Sequence, residues 1–252
     1  MSLYYLYGVT ENPVHSVDHI ISEPHENLYA IVEEVDEEFS EDHFQTNLQN
    51  QEWLISKAEK HQRTLGEVAT ETSVIPIAFG SIFKERDAIK NRIESDLHLF
   101  TRLMDLIRGK HEWGIKMYYK KSQLVEYLVD NQKELKELQE EITQAKPGKA
   151  FILKKELEKR TKEEVKESIN SKRKALYEGL SKKYTDSKLL ENSKPELDNN
   201  KDSNILNIAI LIGEEDKGAL EGMAQDFNDR NKSTGFYLTL TGPWPPYNFV
   251  KV

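Results

Sequence analysis

The chain of 252 residues contains no cysteine. That excludes disulfides, thiolate nucleophiles and cysteine-ligated metal, and it suits a reducing compartment. Hydrophobic residues make up only 37% against 31% charged, so small cores and long solvated helices are expected. There is no apolar run of eighteen residues, hence no expected membrane span. The start, Met1-Ser2-Leu3-Tyr4-Tyr5-Leu6-Tyr7, lacks a basic region and a small-residue cleavage site, so no signal peptide is expected. Neither GxxxxGK[ST], GxGxxG nor GxSxG occurs, which removes the common phosphate loops and the nucleophile elbow.

Charge is present but unevenly placed. The net formal charge is −9. Residues 1–109 carry 9 Lys/Arg against 20 Asp/Glu, whereas residues 146–184 carry 13 against 6. Such opposed fields steer partners or favour head-to-tail self-contact, and they are equally compatible with ordinary solvated surface.

Periodicity organises the rest. Leu3–Val9 and Asn27–Val35 read as strands, and the helix at residues 50–71 has a stripe through Trp53/Leu54, Ala58, His61, Leu65 and Val68. Ser73–Gly80 reads as an apolar strand in which Pro76 argues for an edge, a bulge or a strand start. One helix is expected over 85–108, ended by Gly109. The pattern then restarts: a strand at Trp113–Tyr119, helices over about 122–145 and 150–184 separated by Pro147-Gly148, a polar flexible loop at about 185–204, a strand at Ile205–Ile212, a short amphipathic helix, and a last strand at Phe236–Gly242. The expected fold is α+β with two domains, 1–109 and 110–252. The second is a modified ferredoxin-like arrangement with a helical hairpin inserted at about 122–184.

Candidate chemistry is sparse. His15 and His19 would share a metal only if they lay on a helix, and no matching carboxylate motif accompanies them. His61 lies on an apolar stripe, which suits a hydrogen-bonded core histidine better than a catalytic base; His98 is its candidate partner. The basic helix interleaves Glu156, Glu158, Glu163, Glu164 and Glu167 with its cations, favouring a solvated face over a nucleic-acid site. Trp244, Pro245, Pro246, Tyr247 and Phe249 form the most unusual segment. It reads either as a ligand for an aromatic groove or as a strip that folds back and seals its own domain.

Several of these segments together resemble a known family. Tyr4-Tyr5-Leu6-Tyr7-Gly8, Leu28-Tyr29-Ala30-Ile31-Val32, Trp53-Leu54 with Ala58 and His61, and Val74 to Phe83 are similar, in order, to the gas vesicle accessory proteins GvpF and GvpL. So are Glu112-Trp113-Gly114-Ile115-Lys116, Pro147 to Leu153, and Gly242-Pro243-Trp244-Pro245-Pro246-Tyr247-Asn248-Phe249. The resemblance implies two α+β domains and a non-enzymatic role in building gas vesicles, as a minor component or an assembly or nucleation factor, in the cytoplasm and at the vesicle. The partners it implies are the small hydrophobic shell protein, of the GvpA/GvpB type, and other accessory proteins, with no nucleic acid, no membrane and no cofactor. It carries over no catalytic or metal-binding residue. The competing reading is an enzyme with a histidine–carboxylate site between the domains, built on His61.

Overall fold

A computed structural model describes residues 2–191 and 202–252. The chain is α+β with two antiparallel sheets. By compactness it divides into two units, one comprising Met1–Glu112, Leu211–Glu214 and Gly242–Val252, the other Trp113–Ile210 and Glu215–Thr241.

The first sheet contains β1 (Leu3–Thr10), β2 (Ile21–His25), β3 (Leu28–Val35), β4 (Val74–Pro76) and β5 (Ile82–Phe83). Its order is β2-β3-β1-β4, with β5 also paired to β1. β1 is central and seven of its eight residues are buried, which is why its sequence is nearly continuous apolar and aromatic. Pro76 lies in β4 at the end of the strand order, where a residue without an N–H donor is tolerated. Between Leu6 and Gly8 the register of β1 on β3 shifts, so Tyr7 has no partner in that ladder. Gly8 sits at this bulge because nothing larger fits: a Cβ there would lie 2.7 Å from Val74 Cγ2 and 2.9 Å from the Ile75 carbonyl oxygen.

Helix α1 (Glu41–Asn47) follows a 3-10 turn, Glu37–Phe39. α2 (Gln51–Glu71) starts where the Asn50 side chain accepts from the Glu52 and Trp53 N–H groups, and it buries His61, Thr64, Leu65 and Val68. The single helix expected over 85–108 is two, α3 (Arg86–Ser95) and α4 (Leu97–Ile107). The break falls at Asp96, a poor helix former whose carboxylate pairs with Arg92. The apolar stripe runs on regardless: Ile89, Ile93, Phe100, Met104 and Ile107 are all fully buried. Gly109, at φ 68°, follows α4, and Ser73 Oγ accepts from its N–H at 2.9 Å.

The second sheet contains β6 (Lys110–Tyr119), β7 (Ser187–Leu190), β8 (Ser203–Gly213) and β9 (Phe236–Trp244), in the order β7-β8-β6-β9. Its helices are α5 (Lys121–Asn131), α6 (Lys133–Gln144), α7 (Pro147–Lys183) and α8 (Glu214–Arg230). Two expectations need correction. The helix expected over 122–145 breaks at Gln132, whose backbone is extended and whose side chain donates to Glu164 Oε2 of α7 at 2.6 Å. The loop expected at 185–204 is not loop throughout: Ser187–Leu190 pairs antiparallel with β8, and β8 itself begins at Ser203. Its residues 192–201 lie outside the described residues. α7 begins with Pro147 at its first position, where the missing N–H costs nothing.

Candidate functional site

Two polar arrangements lie in the first unit. The inner one is built on β1 and α2. The Tyr5 hydroxyl lies 2.9 Å from His61 Nδ1 and accepts from the Gly80 N–H at 3.0 Å. Tyr7 stacks on the His61 ring with centroids 5.5 Å apart and donates to Glu33 Oε2 at 2.6 Å. Lys60 meets the other Glu33 oxygen at 2.5 Å. Around this core stand Phe39, Phe44, Trp53 and Phe79.

The electrostatics follow from burial. His61 is 7% exposed, and burial pushes its pKa down from 6.5 to about 4, so the ring is neutral near pH 7. Burial pushes Tyr5 and Tyr7 well above the usual phenol range, with Glu33 adding to both. Glu38 is held below the usual carboxylate range: burial opposes this, but hydrogen bonds from Lys57 and Trp53 outweigh it. A buried neutral imidazole facing a neutral phenol ties α2 to β1. His98 is not the partner of His61; it is exposed on α4. His15 and His19 lie in the irregular stretch between β1 and β2, not on a helix, and His19 Nε2 contacts Thr64 Oγ1 at 3.0 Å. No group of three metal-ligating side chains occurs among the described residues.

The outer arrangement is the C-terminal segment. Pro245 and Pro246 are buried, and a tight turn follows in which the Tyr247 N–H donates to the Pro245 carbonyl at 2.7 Å and the Phe249 N–H to that of Pro246 at 2.9 Å. Tyr247 packs against the core cluster that contains Tyr5, Tyr7 and Leu65. Asn248 grips Glu112 twice, its N–H donating to Oε2 at 2.8 Å and its side-chain amide to Oε1 at 2.5 Å. Burial, with the Glu112 charge, raises Tyr247 to about 12. Phe249 is buried, whereas Trp244 is 39% exposed. The strip therefore packs within the first unit, to which Gly242–Val252 belong. Tyr5, Tyr7, Glu33, Glu112 and Asn248 were not singled out as polar partners in the sequence. The available signal was the pair of tyrosines two apart on a buried strand, since a buried phenol needs a partner.

Both arrangements tie strands, a helix and the tail together. Fold and site thus define an α+β scaffold carrying a helical hairpin. The family described as "Gas vesicle synthesis protein GvpL/GvpF" matches residues 3–251, and the chain belongs to that family. Gas vesicle protein L of Haloferax mediterranei is 24% identical over 80% of the chain, which spans 62% of that relative's length. Gas vesicle protein L1 of Halobacterium salinarum is 24% identical over 96% of the chain and 83% of its own length. The crystal structure of GvpF from an Anabaena species superposes with a TM-score of 0.72 at 16% identity, over 100% of this chain and 99% of that one. GvpF from Microcystis aeruginosa gives 0.63 at 17% identity, over 99% of both chains. The fold is that of GvpF.

Proposed function

We propose that this chain is a non-enzymatic accessory protein of gas vesicle assembly, acting in the cytoplasm and at the vesicle, that holds the small hydrophobic shell protein and contacts other accessory proteins. The observation that carries the reading is a groove of about 670 Å3 between α7 and α8. Leu176, Met223 and Phe227 line it, Ala175, Ala219 and Gly222 keep its walls low, and Lys172, Asp226 and Arg230 lie among its lining. A groove of that kind accepts an apolar helix face, and methionine adapts to an imperfect fit. A shell subunit that would otherwise aggregate is shielded there until it joins the growing shell.

The second unit supports the ferredoxin-like reading of a domain over 110–252. Its element order is strand, helices, two strands, helix, strand, and its strand order β7-β8-β6-β9 is that of a βαββαβ sheet with the hairpin inserted after the first strand. Nucleic-acid binding by α7 is disfavoured because its cations are partly engaged: Arg160 with Glu156 and Glu134, and Lys149 with Glu141. The enzyme reading needs an accessible base, and His61 offers none. No helix among the described residues is long and apolar enough to cross a membrane.

The test is co-purification with the shell protein. Deleting residues 122–184 should abolish capture. Ala219→Arg with Gly222→Arg is the milder variant: both positions are exposed on α8 and a Cβ at Gly222 meets nothing within 4 Å, so the fold tolerates the change while the groove is blocked. Undiminished capture by the folded double variant refutes the groove as the site.

A further inference from the structure

We infer that this chain associates head to tail with a second copy of itself, the tip of its helical hairpin docking on the outer face of α2 of the next molecule. The surface that asks for a partner is the tip. At the start of α7, Phe151 is 61% exposed and Ile152 is 68% exposed, adjacent in sequence. Cations flank them: residues 146–162 hold seven Lys/Arg against two Glu, with Lys149 paired to Glu141 and Arg160 to Glu156 and Glu134, and Lys155 Nζ lies 4.7 Å from the Phe151 ring centroid. Exposed aromatic and aliphatic area inside a cationic rim is the composition of an interface anchor, not of a solvated helix face.

The complementary surface is on the first unit of the same sequence. Ile55 is 57% exposed on α2, flanked one turn away on either side by the exposed Glu52 and Glu59. Residues 33–59 carry nine Asp/Glu and one Lys. That lysine, Lys57, is committed to Glu38 at 2.6 Å, which also brings the 3-10 turn beside this part of α2. Ile152, Phe151 and Ile55 are the three most exposed large apolar side chains among the described residues. Two lie in a basic field and one in an acidic field. All three exposures are those of the whole chain. A contact between unlike patches is heterologous: it closes as a ring of two or more copies, or it propagates as a row. The charges supply encounter and register, and the apolar side chains hold the contact.

The inference does not rest on the shell-protein reading, because it is measured on the purified chain alone by sedimentation velocity. Above the 29.3 kDa of one chain, mass should rise with concentration in about 20 mM salt and fall back in about 300 mM salt, as screening shortens the reach of the two fields. Reversing the tip (Lys149→Glu, Lys154→Glu, Lys155→Glu) should return the protein to monomer mass, as should reversing the patch (Glu52→Lys, Glu59→Lys). All five side chains are exposed, so circular dichroism should be unchanged. Mixing the two variants should restore association, although both remain acidic overall and repel as whole molecules. Phe151→Ser with Ile152→Ser should weaken wild-type association about tenfold or more, as anchor truncation does. A wild type that stays monomeric at low salt overturns the inference. So does association that survives both reversals, or a tip that binds anionic lipid vesicles while the chain remains monomeric.

Discussion

Lowering the pH from about 7.5 to about 4 tests the buried Tyr5–His61 pair directly. His61 has a folded-state pKa of about 4 against an ordinary 6.5, and burial is the cause. The sign follows from which state binds the proton. Below 6.5 the unfolded chain protonates this ring and the folded chain does not, so acid favours unfolding. The stability His61 confers is fully present above 6.5, is lost as pH falls from 6.5 to about 4, and is constant below that. At 1.36 kcal/mol per unit, the loss is about 3 kcal/mol. The assay is urea unfolding of the wild type and of His61→Gln across this pH range. Glutamine keeps an acceptor for Tyr5 but does not titrate, and the carboxylates common to both proteins cancel in the difference. Wild-type stability minus variant stability should fall by about 3 kcal/mol between pH 7 and pH 4. A flat difference, or one that rises with acid, refutes the sealed-histidine reading.

Gly8→Ala should destabilise by about 1–3 kcal/mol, because its Cβ would meet Val74 and the Ile75 carbonyl, whereas Gly66→Ala on α2 meets nothing within 4 Å and should stabilise by up to about 1 kcal/mol. Thermal midpoints should therefore move in opposite directions, by roughly 2–4 °C per kcal/mol. Tyr5→Phe should cost about 1–3 kcal/mol in urea unfolding, since the half-buried Gly80 N–H loses its acceptor along with the bond to His61. Asn248→Ala removes the side-chain donor to the buried Glu112 and should cost about 1–3 kcal/mol. Limited proteolysis should then cut the chain after Trp244 faster than in the wild type, and an unchanged cleavage rate would show that the Asn248 side chain does not hold the tail.

What was legible in the sequence is what local periodicity encodes. β1, α2, β8 and the two apolar stripes of α3 and α4 appear where the spacing puts them, because burial on one face repeats at 2.0 or 3.6 residues whatever the element packs against. Breaks within long helices were not legible. Asp96 and Gln132 are neither Gly nor Pro, and the apolar stripe continues through the first of them, so nothing local marks the interruption. β7 was missed because Ser187–Leu190 has half-buried ends and an exposed middle, the mark of an edge strand with little apolar signal.

The polar networks were illegible for a different reason, and that reason bears on function. Tyr5 and His61 are 56 positions apart, Tyr5 and Gly80 are 75, and Asn248 and Glu112 are 136. No spacing rule connects such pairs; only the fold brings them together. Yet the segments that hold them, Tyr4 to Gly8, Trp53 to His61, Val74 to Phe83, Glu112 to Lys116 and Gly242 to Phe249, are among those that carry the resemblance to the gas vesicle family. In this chain those segments are spent on internal bonds: Tyr5 on His61 and Gly80, Asn248 on Glu112, Tyr247 on the core. Side chains already satisfied inside the fold have little left to offer a partner. On the function proposed above, recognition falls to apolar area that stays uncovered: the groove between α7 and α8, outside the signature segments, and the exposed side chains Ile55, Phe151 and Ile152 within two of them.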